Sequence, residues 1–147
     1  KVFSIEELGI PYISNTKKKE HSIVAVTVQG ESHALGLKMI ADFLEMEGWN
    51  SYYLGTDTPT DSIIKVIAEY DADILAISAT LPFNINGVTN LIDAVDSTKK
   101  SKEIKILVGG QAFSYDQDSW KKTGADAYAN NAQTAIEICK ELVNDRD

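Results

Sequence analysis

Apolar and polar positions along this chain switch repeatedly between two spacings. Ile23-Val24-Ala25-Val26-Thr27-Val28 is a run of six β-type residues, followed by Leu37, Ile40, Ala41 and Leu44 at helical spacing. The first pattern suits a strand buried on both faces of a parallel sheet, and the second an amphipathic helix. Continued along the chain, the pattern predicts a strand over about 22–29 and a helix over about 34–47 that stops at Gly48. A short strand, Ser51-Tyr52-Tyr53-Leu54, comes next. Thr58-Pro59-Thr60-Asp61 then opens a helix that carries Ile63, Ile64 and Ile67 and ends near Tyr70. A strand over 73–78, a loop through Leu81-Pro82-Phe83-Asn84 and a helix bearing Val88, Leu91, Ile92 and Val95 form the third unit. A strand over 104–108 ends at Gly109-Gly110, and a short helical piece around Asp116–Lys122 stops at Gly124. A strand over about 125–129 and a helix over about 132–144 complete the pattern, with Asn130 or Asn131 as N-cap.

Five strands alternating with five helical segments predict an α/β domain with a doubly wound parallel sheet. Right-handed crossovers with helices on both faces give the flavodoxin-like, Rossmann-like strand order 2-1-3-4-5. Residues 1–20 read as an arm or linker and 21–147 as the domain. In such sheets ligands bind outside the carboxyl ends of the strands, at the reversal of strand order. Three special turns converge there: Gly30–Gly36 after strand one, Ser78-Ala79-Thr80 after strand three and Gly109-Gly110 after strand four.

At 147 residues the chain is long enough for one domain with its own core. Its net charge of -8 speaks against nucleic-acid binding, and the lysine runs at 17–19 and 99–100 lack interleaved aromatics. Cys139 is the only cysteine, so neither an internal disulfide nor a cysteine metal cluster is available. It lies on the stripe Ala135, Ile138, Cys139, Leu142 and reads as a buried hydrophobe. No apolar run is long enough to span a bilayer, and no signal peptide is evident, so a cytoplasmic location is expected. The chain begins at Lys1, not Met, and is expected to be a piece of a longer protein.

His33 is the residue with the most chemistry on that rim. With Glu31 two residues before it and Gly36 three after, it suggests a metal ligand whose second ring nitrogen has a carboxylate partner. Other chemistries fit less well. The turn carries bulky Glu31, His33 and Leu35 where a phosphate-binding loop needs glycines. A receiver domain would need an acidic pair after strand one and an aspartate where Ser78 stands. Ser78 and His33 lack the Gly-x-Ser-x-Gly setting of a hydrolase nucleophile. A structural zinc site needs four protein ligands, and His21 starts strand one at the opposite edge. A metal at His33 therefore points to an ion whose other positions are filled by a macrocycle.

Spacing then becomes specific. Forty-one residues, 37 to 77, separate Gly36 from Ser78, and twenty-eight, 81 to 108, separate Thr80 from Gly109-Gly110. This resembles the cobalamin (vitamin B12)-binding domain family, whose signature sets Asp-x-His-x-x-Gly, Ser-x-Leu and Gly-Gly at such intervals. Glu31 stands in place of Asp, Thr80 in place of Leu, and Leu37 in place of the Lys frequent in corrinoid methyl carriers. The form Gly-Glu-x-His-x-x-Gly-Leu, with Tyr53-Leu54-Gly55-Thr56-Asp57-Thr58-Pro59 and Gly109-Gly110-Gln111, looks more like the sensory, light-responsive regulators of that family.

The resemblance implies a corrinoid (adenosyl-, methyl- or hydroxocobalamin) held with its own base displaced and His33 as lower axial cobalt ligand. Glu31 would accept the other ring N–H. Ser32, Ala34, Leu35, Gly36, Ser78, Thr80, Gly109, Gly110 and Gln111 would hold the cofactor, with its nucleotide tail in a slot between strands one and three. The expected role is a non-enzymatic sensory or transcription-regulating domain. Its helical capping domain would lie outside this chain, and homo-oligomerisation is compatible with it. A corrinoid methyl carrier of a methyltransferase system, or a haem-binding sensor of the same fold, are the alternatives.

Overall fold

The computed structural model describes residues 21–28, 35–98, 104–116 and 118–144. Among them run β1 (Ser22–Thr27), α1 (Leu35–Met46), β2 (Asn50–Gly55), α2 (Thr60–Glu69), β3 (Ile74–Ser78), α3 (Ile85–Thr98), β4 (Lys105–Gly109), β5 (Ala127–Ala129) and α4 (Ala132–Asn144). Every strand pair is parallel and the order is β2-β1-β3-β4-β5, the doubly wound order that the alternating pattern predicts. β1 is an interior strand, paired with β2 and β3, and helices cover both its faces, so Ile23 through Val26 are at most 1% exposed.

Side-chain alternation divides the core into two layers. Val24, Val26, Leu75, Ile77, Ile106 and Val108 pack against Ile63 of α2 and Val88, Leu91, Ile92 and Val95 of α3. Ile23, Ala25, Ile74, Ala76 and Leu107 face the other way, onto Leu37, Ile40 and Leu44 of α1 and Ala135, Ile136, Cys139 and Val143 of α4. The stripe that holds Cys139 thus faces the sheet, and burial pushes its thiol pKa up to about 12.

The amino ends of two strands are tied by the same device. Asp73 donates its N–H to the Ser22 carbonyl at 2.9 Å, and its carboxylate accepts the Ser22 N–H at 2.8 Å. Asp126 donates to the Ile106 carbonyl at 2.8 Å and accepts the Ile106 N–H at 2.7 Å. Each aspartate stands just before its strand and closes a pair of bonds that would otherwise end the ladder.

The expected helical piece at Asp116–Lys122 is instead a 3-10 turn, Ser119–Thr123, ended by Gly124 at φ 94°. Its polar side chains bond locally: the Thr123 hydroxyl donates to the Trp120 carbonyl at 2.6 Å and accepts the Ala125 N–H at 3.2 Å. These bonds compete with a regular helix and hold Ala125 outside β5, so that strand starts two residues later than expected. Two further short turns, Pro82–Asn84 and Gln111–Phe113, follow β3 and β4. Of the two N-cap candidates Asn131 is the cap, accepting the Thr134 N–H at 2.8 Å.

Candidate functional site at the carboxyl edge

Strand register lays one row of residues across the carboxyl edge. Thr27 stands opposite Ser78, Ser78 opposite Gly109, and Gly109 opposite Ala129. By alternation this row faces the α1/α4 side, as does the next row inward, in which Ala76 stands opposite Leu107. These rows floor a cavity of about 390 Å³, within the range of small-molecule sites. Gly36, Leu37 and Ile40 wall it from α1, and Ala132 and Ala135 from α4. Thr80, Gly110, Gln111, Asn130 and Asn131 line it beyond the strand ends.

Two glycines shape its rim through backbone crowding. A Cβ on Gly109 would lie 2.9 Å from the Ala129 carbonyl oxygen. Gly110 has φ +104°, and a Cβ there would fall on the Ala79 carbonyl oxygen, which already accepts the Ala112 N–H at 3.1 Å. The Ala79 N–H in turn donates to the Gly109 carbonyl at 3.0 Å, so the turns after β3 and β4 hold one another. Gly36 is different: a Cβ there would meet none of the described residues within 4 Å. Gly36 stands in the first turn of α1, where glycine still gains nothing over alanine, and no packing within the described residues accounts for it.

The row also contains a buried hydroxyl, Thr27 Oγ1, that has no hydrogen-bond partner among the described residues. Among the described residues, no side chain lining the cavity is charged. Nor do three or more His, Cys, Asp or Glu groups come together as a metal site among the described residues. In and next to the short turns after β3 and β4, Leu81, Phe83 and Tyr115 are exposed at 45%, 75% and 68%.

Six of the residues singled out from sequence, Gly36, Ser78, Thr80, Gly109, Gly110 and Gln111, line this one cavity. Glu31, Ser32, His33 and Ala34 lie outside the described residues, as does the side chain of Leu35. The slot expected between strands one and three is set beside the cavity that the described residues form. β1 and β3 are hydrogen-bonded neighbours, with the Val28 N–H still donating to the Ser78 carbonyl at 3.2 Å, and the open space lies over β3, β4 and β5. The inner wall of Ile40, Ala76, Leu107 and Ala135, and the rim residues Asn130 and Asn131, were not singled out as site residues. Two-residue steps inward from Ser78 and Gly109, and helical steps from Gly36, are the signal that reaches most of them. His21 sits at the opposite edge, 3.8 Å from the Asp73 carboxylate and against the Trp49 ring.

Residues 21–139 match the model of the B12 binding domain. Dimethylamine corrinoid protein 3 of Methanosarcina acetivorans is 31% identical over 131 residues, which is 88% of this chain and 60% of that protein. The solved monomethylamine corrinoid protein of Methanosarcina barkeri superposes with a TM-score of 0.70 at 26% identity, covering 82% of this chain and 57% of that one. A methanol:cobalamin methyltransferase complex from the same organism superposes with a TM-score of 0.75 at 17% identity over 95% of this chain and 61% of that one, a likeness of fold. The chain spans about three-fifths of the length of these relatives. The sensory subgroup expected from Glu31 and Leu37 is not where the similarity lies. Leu37 is 7% exposed and faces the sheet, so its apolar side chain answers to packing in α1.

Proposed function

The chain belongs to the B12 binding domain family, and from that premise we propose that it is the corrinoid-carrying domain of a methyl-transfer system. Its cofactor is a cobalamin, not a haem. Bound cobalamin supplies a cobalt centre that accepts and releases a methyl group; the protein's part is to hold and orient it. By the family resemblance His33 would ligate the cobalt, with Glu31 accepting its other ring N–H and thereby fixing the tautomer. Ser32, Ala34 and Leu35 would shape the same turn around the cofactor.

The observation that carries this reading is the cavity itself. Its glycines keep Cβ atoms away from the rim at the three signature positions, and at Gly36 none of the described residues fills the space so left. A ligand tail entering between α1 and α4 explains that glycine. Ser78 would offer its hydroxyl to the tail base, and Gly109-Gly110 would leave room for its ribose and phosphate. The amine corrinoid proteins among the relatives favour a carrier over a sensor, with a methyltransferase as partner and a methylamine as methyl source.

Absorbance titration of the chain with hydroxocobalamin and adenosylcobalamin, beside His33→Ala, tests the cofactor assignment. A spectrum with the tail base displaced and an imidazole on cobalt is expected, lost in the variant. No spectral change with either corrinoid overturns the assignment. Carriage is tested separately. The chain loaded with methylcobalamin should deliver its methyl to an acceptor in the presence of a corrinoid methyltransferase, whereas a sensor would not.

A further inference from the structure

The cavity is graded in polarity along the strand direction. Its outer layer holds hydroxyl and amide groups, from Ser78, Thr80, Gln111, Asn130 and Asn131. Two residues deeper in the sheet, and one turn deeper in the helices, the lining is Ile40, Ala76, Leu107 and Ala135, none more than 8% exposed. Their backbone groups offer a ligand nothing further. Those of Ala76 and Leu107 belong to the ladder between β3 and β4, and those of Ile40 and Ala135 to helices. A molecule filling this space meets hydrogen-bonding groups at its outer part and only hydrocarbon at its inner end.

We infer that this inner layer makes the domain selective for corrinoids whose tail ends in an apolar ring, such as dimethylbenzimidazole or a phenol, over those with a purine tail. The inference rests on the corrinoid reading above and adds the class of corrinoid. Adenine carries an exocyclic amine and ring nitrogens that lose their water on entry and find no partner among Ile40, Ala76, Leu107 and Ala135. Each polar group buried without a partner weakens binding by about tenfold or more. Dimethylbenzimidazole would present methyl groups at that end, and its remaining ring nitrogen would be left for the outer layer, where Ser78 has a hydroxyl. A hydrophobic wall rejects a polar near-isostere only moderately, so about tenfold to a hundredfold discrimination is expected.

Equilibrium dialysis of the whole chain against three corrinoids, read by their absorbance, tests this. Cobalamin and the phenol-tailed analogue are expected to bind at least about tenfold more tightly than the adenine-tailed analogue. If instead the ease of removing the base from cobalt governs affinity, the order becomes phenol, adenine, dimethylbenzimidazole. A phenol has no nitrogen to detach and adenine is a weaker ligand than dimethylbenzimidazole. That order, or equal affinities, overturns the selectivity while leaving the corrinoid reading intact. Failure of all three to bind overturns both. Ile40→Thr, which puts a hydroxyl into the inner layer and removes the δ-methyl, should narrow the preference severalfold. An unchanged ratio in a folded Ile40→Thr chain removes Ile40 from the selecting wall.

Discussion

Single residues of the site divide by whether protein or empty space answers for them. Gly110 is required by the fold itself: φ +104° costs an L-residue about 1–3 kcal/mol in strain, and the contact with the Ala79 carbonyl adds to it. Gly36 is required by nothing within the described fold. Gly36→Ala is therefore expected to raise the thermal midpoint of the cofactor-free chain slightly, by less than the ~0.5–1 kcal/mol of a helix interior because the site is in the first turn of α1, and to weaken cobalamin binding. Gly110→Ala should lower the midpoint sharply. Thermal unfolding of both variants, with and without cobalamin, checks this. A Gly36→Ala chain that gains stability and binds as tightly as the parent would remove the ligand as the reason for that glycine. Cys139 makes a second residue-level case. Its thiol is held neutral up to about pH 12 in the fold and ionises near 9.0 when exposed. Between those values the unfolded chain has released a proton that the folded chain retains, so stability falls as pH rises, by up to about 1.4 kcal/mol per unit. Denaturant unfolding from pH 8 upward should show a steeper loss in the parent than in Cys139→Ala. Parallel curves would contradict it.

Elements were legible where periodicity was strong and illegible where short polar side chains took over the backbone. β1, α1, β3, α3 and α4 emerge close to their predicted spans because each pairs a long apolar pattern with a buried face. The 3-10 turn at Ser119–Thr123 does not, because its order comes from the Thr123 hydroxyl and from Trp120 stacking on Tyr128. Neither is a feature of periodicity. The two strand-start aspartates were equally hidden, since Ala72-Asp73 and Ala125-Asp126 look alike in sequence and only register shows what each closes. They also provide a controlled comparison. Asp73 is 3% exposed and anchors the interior strand β1, while Asp126 is solvent-exposed at the outer strand β5. A hydrogen bond to a charged group is worth about 1.5–3 kcal/mol, and the buried one carries more of that value. Asp73→Ala should cost about 2 kcal/mol or more, and Asp126→Ala clearly less, when urea midpoints are compared at constant slope. Equal costs would mean that the carboxylate bonds do not act as staples.

Across the whole molecule, the sheet separates a structural edge from a functional one. At the amino edge, Asp73, Asp126, His21 and Trp49 tie strands and helices to each other. At the carboxyl edge the same strands end in Ser78, Gly109 and Ala129, small residues that leave space between α1 and α4. The sequence disclosed that asymmetry in part. The signature spacing marks the rim, because turns demand particular residues. The inner wall consists of ordinary core residues, and nothing distinguishes a core alanine that meets a ligand from one that meets a side chain until register places it. A ligand bound only at the carboxyl edge should leave a matching imprint on dynamics. At a hundredfold excess over its dissociation constant, cobalamin adds about 2.7 kcal/mol to global stability. Amides that exchange by local opening should respond according to position. Protection is expected to rise at Gly36–Ile40, Ser78–Thr80, Gly109–Gln111 and Asn130–Ala132. Locally exchanging amides of β2 and α2, which do not line the cavity, should keep their rates. Hydrogen exchange with and without cobalamin decides it. Slowing spread evenly over both edges would mean that the ligand acts on the fold as a whole and that the cavity over β3, β4 and β5 is not its seat.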